Sequence, residues 1–264
     1  MGLRDKGEKT RSTLSAVIIT YNEERNIRDC LESIKWVDEI VVVDAYSSDR
    51  TVEIAREYTD KVYRHPWLGY GGQKNFGINQ ATSDWVLIVD ADERVTEELR
   101  HEIQATLQSP DEEAVGYEIP RKNYFHGQWM RWAGQYPDYQ LRLFKRTYGR
   151  YDRRRIHEHL ILTGEKKFLK KPLEHFSYQS ISDYLRRLNV YTTLGAEEKF
   201  QIKKTIQQYY DLVIRPVSTF IKFYILKQGI REGIRGFILS ILASFHTFMK
   251  YAKLWEIIHN KDPR

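Results

Sequence analysis

Three short, continuous apolar runs constrain the fold of this chain more than any other feature. They read AVII at 16–19, IVVV at 40–43 and VLIV at 86–89. Their length and their content of β-branched residues are typical of strands that are buried on both faces, as in a parallel sheet. The sequence therefore predicts an α/β fold with these runs as neighbouring strands.

Helical patterns lie between and after the runs. Apolar residues with helical spacing predict a helix that buries Ile27, Cys30, Leu31 and Ile34, which makes Cys30 a core residue. Further elements are expected as follows: a helix from Asp49, its N-cap, through Glu57; a short strand near Val62; a loop over 69–77 that leads into a short helix; and a helix capped by Thr96 that carries Leu99, Ile103 and Leu107.

The composition is that of a globular protein, with 41% hydrophobic and 13% aromatic residues in a chain of 264. This length suits one large domain, or one domain with an appendage. Cys30 is the single cysteine, so no intramolecular disulfide can form, and a reducing compartment is expected. The charged start of the sequence lacks the apolar core of a secretion signal, so export is not expected.

The net charge of +6 is concentrated near the C-terminus. Residues 1–212 contain 33 basic and 33 acidic residues, whereas residues 213–256 contain seven basic and two acidic residues. A polyanionic partner is therefore expected at the C-terminal segment.

Polar side chains follow each apolar run at its carboxyl end. They are Thr20, Tyr21, Asn22 and Glu23 after the first run, Asp44 after the second, and Asp90, Ala91 and Asp92 after the third. Open α/β sheets bind ligands beyond the carboxyl ends of their strands. Clustered carboxylates also need a cation or hydrogen-bond donors to compensate their charge. Because GxGxxG and GxxxxGK[ST] motifs are both missing from the sequence, the pattern favours a nucleotide site that uses carboxylates and a divalent metal, Mg2+ or Mn2+.

Four blocks, ITYNEERN, VVVDAYSSDRT, GGQKNFG and VLIVDADE, together resemble glycosyltransferase family 2. The resemblance implies the GT-A fold, a Rossmann-like and mostly parallel sheet flanked by helices. It also implies an inverting transferase that uses a nucleotide-sugar donor, usually a UDP-sugar, with Mn2+ or Mg2+. The implied donor-binding residues are Thr20, Tyr21, Asn22, Glu23, Asp44, Lys74, Asp90 and Ala91, with Asp92 as a metal ligand.

Inversion by direct displacement needs a general base. The block WAGQYPDYQLRLFKR resembles lipopolysaccharide core β-glycosyltransferases, in which the aspartate at the position of Asp138 is expected to be that base. Residues 139–144 alternate as a strand does, and the other interpretation of Asp138 is a turn aspartate after proline. The QxxRW motif of processive family members is missing from the sequence, which favours transfer of one sugar per acceptor.

The block IHEHLIL at 156–162 is a third candidate. A strand here would place His157 and His159 on one face, which is not the helical HExxH zinc geometry. The same resemblance implies that His157 helps to hold the metal or the diphosphate, and a purely structural histidine is the alternative.

In residues 216–255, lysines and arginines flank apolar and aromatic residues, and the longest uncharged stretch, 236–249, is 14 residues long. A spanning helix needs about 20. We therefore predict amphipathic helices in the interface of an anionic membrane, with a helical pair packed on the catalytic domain or on a dimer partner as the alternative. The predicted domains are a GT-A domain over 1–212 and this extension over 213–264.

Together these features predict one-sugar transfer to a lipid-linked saccharide such as lipopolysaccharide core, on the cytoplasmic face of the inner membrane. The alternatives are a sugar-phosphate nucleotidyltransferase and a non-catalytic module that binds lipid or nucleic acid. A nucleic-acid partner is not predicted, because such a module leaves the carboxylates unexplained. The sugar, the linkage and the oligomeric state are left open by the sequence.

Overall fold

The structure is a computed structural model that describes residues 12–109, 111, 113–152, 159–178, 180–202, 206–207 and 209–260. The described residues form two compact units. The first consists of the residues up to Ile119 together with Leu141–Asp152 and His159–Pro172, and the second of Pro120–Gln140 and the residues from Leu173 onward. The expected boundary at residue 212 stays a prediction.

The strands, in chain order, are β1 (Leu14–Thr20), β2 (Glu39–Asp44), β3 (Val62–Arg64), β4 (Trp85–Ile88), β5 (Glu93–Val95), β6 (Ala114–Phe125), β7 (Gln128–Trp129), β8 (Asp138–Lys145), β9 (Gly149–Tyr151), β10 (Leu160–Leu162), β11 (Glu165–Phe168) and β12 (Leu173–Tyr178). The α-helices are α1 (Ile27–Ile34), α2 (Thr51–Ala55), α3 (Gly69–Gln80), α4 (Glu97–Gln108), α5 (Ile181–Gln201), α6 (Arg215–Ile221) and α7 (Ile234–Asn260).

The core of the first unit is a parallel sheet with the strand order β3-β2-β1-β4. The three apolar runs lie in β1, β2 and β4, except that Val89 follows β4, and their side chains are almost entirely buried. β8 extends the sheet antiparallel to β4, followed by β6 and its parallel partner β11. The register pairs Thr20 with Asp44, so the carboxyl ends of β1 and β2 lie side by side.

Two of the predicted helices are confirmed in position. α1 buries all four of its predicted apolar residues, and burial raises the pKa of the Cys30 thiol, which suits a core residue. Thr96 caps α4, since its Oγ1 accepts a hydrogen bond from the Leu99 amide at 3.1 Å.

The predicted bounds of α2 are wrong. The helix begins after Arg50 and ends at Ala55, whereas Asp49 accepts a hydrogen bond from the Thr51 amide at 3.0 Å. The chain then tightens, because the Glu57 amide donates to the Ile54 carbonyl three residues earlier, as in a 3-10 turn. This tightening ends the α-helix two residues before Glu57.

The loop predicted over 69–77 is also wrong, because α3 already begins at Gly69. Glycine lowers helix propensity, but α3 packs its Ile78 into the same core cluster as Val17 and Val43. A Cβ at Gly77 would collide with Cγ1 of Val17 and lie 3.1 Å from Cγ2 of Val43. The glycine therefore lets the helix approach the sheet closely.

The second unit combines strands with the C-terminal helices. β12 pairs parallel to β6, and β7 pairs antiparallel to β6. π-helical segments, Tyr210–Ile214 and Lys222–Leu226, flank α6. α7 buries Tyr251 and Leu254 against Ala196 of α5. Helices over 216–255 are thus confirmed, and they pack within this unit.

Candidate active site

The ends of β1 and β2 are joined through a buried carboxylate. Asp44 is fully buried, and its oxygens accept hydrogen bonds from Thr20 Oγ1 at 3.2 Å and from the Ser47 amide at 2.9 Å. Hydrogen bonds of this kind offset the cost of burying the carboxylate. Asp44 therefore fixes the loop after β2 to the end of β1.

The loop after β1 is hydrogen-bonded to the loop after β2. The Asn22 amide donates to Ser47 Oγ at 2.8 Å, and Asn22 Oδ1 accepts from the Ser48 amide at 2.9 Å. Asn22 has a left-handed backbone with φ 53°, a conformation that asparagine tolerates better than most residues. The Glu23 amide donates to Thr51 Oγ1 at 2.8 Å. The two loops form one rigid wall.

Tyr21 stands on this wall with 59% of its surface exposed. An exposed aromatic ring on a rigid, hydrogen-bonded loop can stack on a planar ligand such as a nucleobase. The predicted donor-binding residues Thr20, Tyr21, Asn22, Glu23 and Asp44 are therefore all brought together at this end of the sheet.

The tip of β4 carries the acidic motif. One oxygen of Asp90 lies 3.4 Å from Nζ of Lys74, and the other lies 2.5 Å from Nη2 of Arg142. Lys74 is buried on α3, and its Nζ lies 5.1 Å from the centre of the Tyr151 ring. Ala91 and Asp92 follow in the turn and are also buried. Lys74 and Asp90, which the sequence assigned to one site, do meet.

Arg142 is a site residue that the sequence did not reveal. It is buried on β8, and its Nη2 also lies 2.7 Å from Oε1 of Glu93, which is fully buried. Burial disfavours the guanidinium charge, but attraction to Asp90 and Glu93 outweighs it, so the pKa of Arg142 is raised well above its ordinary value. The available signal was a lone arginine within the apolar stretch LRLF.

The carboxylate oxygens at the tip of β4 are the kind of ligand that hard divalent cations prefer. Among the described residues, no group of three or more His, Cys, Asp and Glu side chains is placed to hold a metal ion. Mg2+ often binds through one or two carboxylates and completes its coordination with substrate phosphates and water. Asp90 and Asp92 can supply that small number of ligands, so the residues fit such an ion. Asp92 as a ligand stays a prediction, and His157 lies outside the described residues.

Asp138 begins β8 and belongs to the second unit. Its Oδ2 accepts hydrogen bonds from Arg121 Nη2 at 2.6 Å, Arg121 Nε at 2.9 Å and Asn123 Nδ2 at 3.2 Å, and its Oδ1 accepts from Gln140 Nε2 at 2.7 Å. Burial raises the pKa of Asp138, but Arg121 and the hydrogen-bond donors outweigh burial and lower it. The carboxylate is thus ionised at neutral pH and can accept a proton.

The surroundings of Asp138 contain further polar residues that the sequence did not single out. Asn123 Oδ1 lies 2.7 Å from His175 Nδ1, so one amide joins the carboxylate to a histidine. A cavity of about 190 Å³ opens beside Asn123 and is lined mainly by apolar side chains, among them Phe125, Met130 and Phe223. The histidine and the cavity lie within the second unit.

The mostly parallel sheet flanked by helices is a fold of the GT-A type. The sequence profile described as glycosyl transferase family 2 matches residues 15–182, and the chain belongs to that family. It is a glycosyltransferase.

Relatives extend the likeness over nearly the whole chain. A lipopolysaccharide core biosynthesis glycosyltransferase, LpsC of Rhizobium meliloti, is 32% identical over 250 residues, which is 92% of both chains. An uncharacterized glycosyltransferase of Rickettsia typhi is 29% identical over 255 residues, 92% of this chain and 87% of its own.

One solved structure supports the fold. The mannosyltransferase PcManGT from Pyrobaculum calidifontis, in complex with GDP-Man and Mn2+, has a TM-score of 0.54 and 15% sequence identity. The match covers 96% of this chain and 89% of the mannosyltransferase. The GT-A fold predicted from the sequence is therefore confirmed.

Proposed function

We propose that this protein is an inverting glycosyltransferase that transfers one sugar from a nucleotide-sugar, a UDP-sugar by preference, to a hydroxyl of a lipid-linked saccharide such as lipopolysaccharide core. The observation that carries the proposal is the arrangement in the first unit. There, Asp90 meets Lys74 and Arg142 at the end of β4, and the wall bearing Tyr21 joins the ends of β1 and β2.

The proposed residues for binding the nucleotide-sugar lie in the wall formed by the loops after β1 and β2, on α3, and at the tip of β4. Tyr21 and the loop residues Asn22 and Glu23 would hold the base and ribose. Lys74 would approach the diphosphate as a cation, and the turn Asp90-Ala91-Asp92 would carry Mn2+ or Mg2+. A bound divalent cation offsets the charge that develops on a departing diphosphate.

Asp138 would act as the general base in the proposed reaction. Its ionised carboxylate takes the proton of the acceptor hydroxyl while the acceptor oxygen displaces the nucleotide at the anomeric carbon. The four hydrogen bonds to Asp138 would fix its orientation toward the acceptor.

Two observations support a lipid-linked acceptor. The first is the name of the Rhizobium meliloti relative, which assigns that protein to lipopolysaccharide core biosynthesis. The second is the C-terminal segment of residues 213–256, with its basic excess and its exposed apolar residues. We therefore propose that the enzyme works peripherally on the cytoplasmic face of the inner membrane.

A donor screen tests the proposal. UDP-, GDP- and dTDP-sugars are added to the full-length protein with and without Mn2+ or Mg2+, and melting temperature and release of the nucleotide diphosphate are measured. A ligand that binds the native state raises the melting temperature by mass action. We expect metal-dependent stabilisation by a UDP-sugar, and no stabilisation by any of the three classes would contradict the proposal.

A further inference from the structure

The helix α7 in the second unit has an exposed apolar face. Its exposed large apolar residues recur every three, four or seven positions: Ile234, Phe237, Ile241, Phe245, Phe248 and Trp255. This spacing keeps them on one side of a helix. Residues on the other side, including Leu242 and Leu254, are buried in the core clusters of the unit. The exposed residues form a stripe along α7.

The neighbouring helical segment carries a second stripe. Val213, Val217, Ile221 and Ile225 are exposed and again recur every four residues. Phe220 and Tyr224 precede Ile221 and Ile225 of this stripe in the sequence, and both pack edge-on against Phe237 of the α7 stripe, at 5.9 and 5.6 Å. The two stripes therefore lie on neighbouring helical segments that contact each other. Together they form a single apolar surface.

The hairpin tip, defined here as residues 222–235, includes the ends of both stripes and combines apolar and basic side chains. Leu226 is 73% exposed and Ile230 is 59% exposed. Lys222, Lys227 and Arg231 are exposed beside them.

The acidic residue of the tip, Glu232, is engaged by the protein itself. Its Oε1 accepts hydrogen bonds from the backbone amides of Arg131 and Trp132, both at 2.7 Å. With Glu232 included, the tip still carries four basic residues against one acidic residue.

The basic residues farther along α7 lie against other parts of the second unit. Lys253 Nζ hydrogen-bonds to the Asn189 carbonyl and to Thr193 Oγ1 on α5, both at 2.7 Å. Lys250 lies near Lys199 and Arg215, and burial together with these two cations lowers its pKa. The cations that border the apolar surface are therefore those of the tip.

We propose that the hairpin tip and the two stripes form the docking surface of this protein for an anionic lipid bilayer. None of the helices in the described part of the chain has the length and apolarity needed to cross a membrane. A large exposed apolar surface bordered by cations, on helices that do not span, fits the interfacial region of a bilayer. The purpose of the docking rests on the proposed function, since it would bring the enzyme to a lipid-linked acceptor, but the binding itself does not.

Charge favours a bilayer over a second copy of this chain. A twofold dimer places the same surface of both subunits face to face. That would bring the exposed cations of the tip, Lys222, Lys227 and Arg231, of two subunits close to one another. Anionic headgroups instead attract the same lysines and arginines.

Cosedimentation of the full-length protein with vesicles tests the proposal. The vesicles contain either phosphatidylcholine alone or phosphatidylcholine mixed with phosphatidylglycerol. We expect binding to the anionic vesicles, weaker binding to the neutral ones, and partial release by salt because screening weakens the charge attraction.

Matched variants locate the surface. Ile230→Glu should weaken binding to anionic vesicles about tenfold or more. It removes an apolar side chain that the bound bilayer would bury, and it adds a negative charge. Ile161→Glu is the control, since Ile161 is also 59% exposed but lies on β10 of the first unit.

The double variant Lys222→Gln/Lys227→Gln should weaken binding about 10- to 30-fold, at about fivefold per lysine. Its control, Lys170→Gln/Lys171→Gln, should bind as the wild type does.

Three results would overturn the docking surface: no binding to anionic vesicles, equal loss in the variants and their controls, or a dimer in sedimentation equilibrium that Ile230→Glu dissociates without any vesicle binding. Donor binding measured on the same preparations keeps the two proposals apart. A protein that binds vesicles but no nucleotide-sugar would contradict only the proposed function.

Discussion

Arg142 and Asp90 form a partly buried ion pair across 52 residues of sequence, with Nη2 of the arginine 2.5 Å from Oδ2 of the aspartate. The same Nη2 also contacts Glu93, which is fully buried. The guanidinium of Arg142 therefore orients Asp90 and compensates the charge of Glu93. In the proposed donor site, Asp90 would therefore be held in position before a donor binds. Arg142 is a positioning residue for it.

The first prediction separates these two roles of Arg142. Arg142→Met removes the cation beside two acids and should destabilise the fold by about 3–5 kcal/mol, the usual cost of breaking a buried pair. Adding Glu93→Gln should recover much of the melting temperature. The double variant should still bind UDP with Mn2+ less tightly, because Asp90 has lost its arginine. Wild-type affinity in a titration of the double variant would show that Arg142 serves the fold alone.

The second prediction concerns the metal. Asp92→Asn keeps the size of the side chain but removes a carboxylate charge, so metal-dependent binding of UDP should be lost while the melting temperature of the free protein changes little. Isothermal titration with and without Mn2+ measures this. Asp60→Asn, an exposed carboxylate next to β3, is the control and should bind normally. If Asp92→Asn also binds UDP and Mn2+ normally, Asp92 is not a ligand.

The third prediction separates donor binding from chemistry. Asp138→Asn cannot accept a proton, so turnover should fall about 10²- to 10⁴-fold, the usual effect of a general base. The dissociation constant of the donor should stay within about twofold, since Asp138 is assigned to the acceptor reaction. Steady-state rates of nucleotide release measure the first quantity and titration the second. Turnover within a few-fold of the wild type would exclude Asp138 as the base.

The fourth prediction is a pH profile. Because the pKa of Asp138 is lowered, the base stays ionised down to a pH below the ordinary value of about 4 for aspartate, and activity is lost only as the pH falls through that lowered pKa. Arg121→Gln removes the main attraction that lowers the pKa, so the acid limb of kcat/KM should move to higher pH. An acid limb that stays in place would mean that another group controls it.

The parallel half of the fold could be predicted from the sequence because buried strands and their polar ends are local patterns. The apolar runs before Thr20, Asp44 and Asp90 indicate the sheet, and the polar residues that follow them indicate one side of the candidate site. The first part of α3 was missed because its glycines oppose a helix locally, whereas packing of Ile78 against the sheet stabilises one. Arg142 was missed for a similar reason, since its partners are close only after β8 has paired with β4.

The close approach at Gly77 has a consequence for attempts to stabilise this enzyme. Replacing a glycine inside a helix by alanine ordinarily favours the folded state by about 0.5–1 kcal/mol. In α3 the added methyl group would meet Val17, so the helix would have to move away from β1 and take Lys74, one turn earlier, away from Asp90. A substitution chosen to improve helicity would thus act as an inactivating one, although it alters no charge and no hydrogen-bonding group of the site.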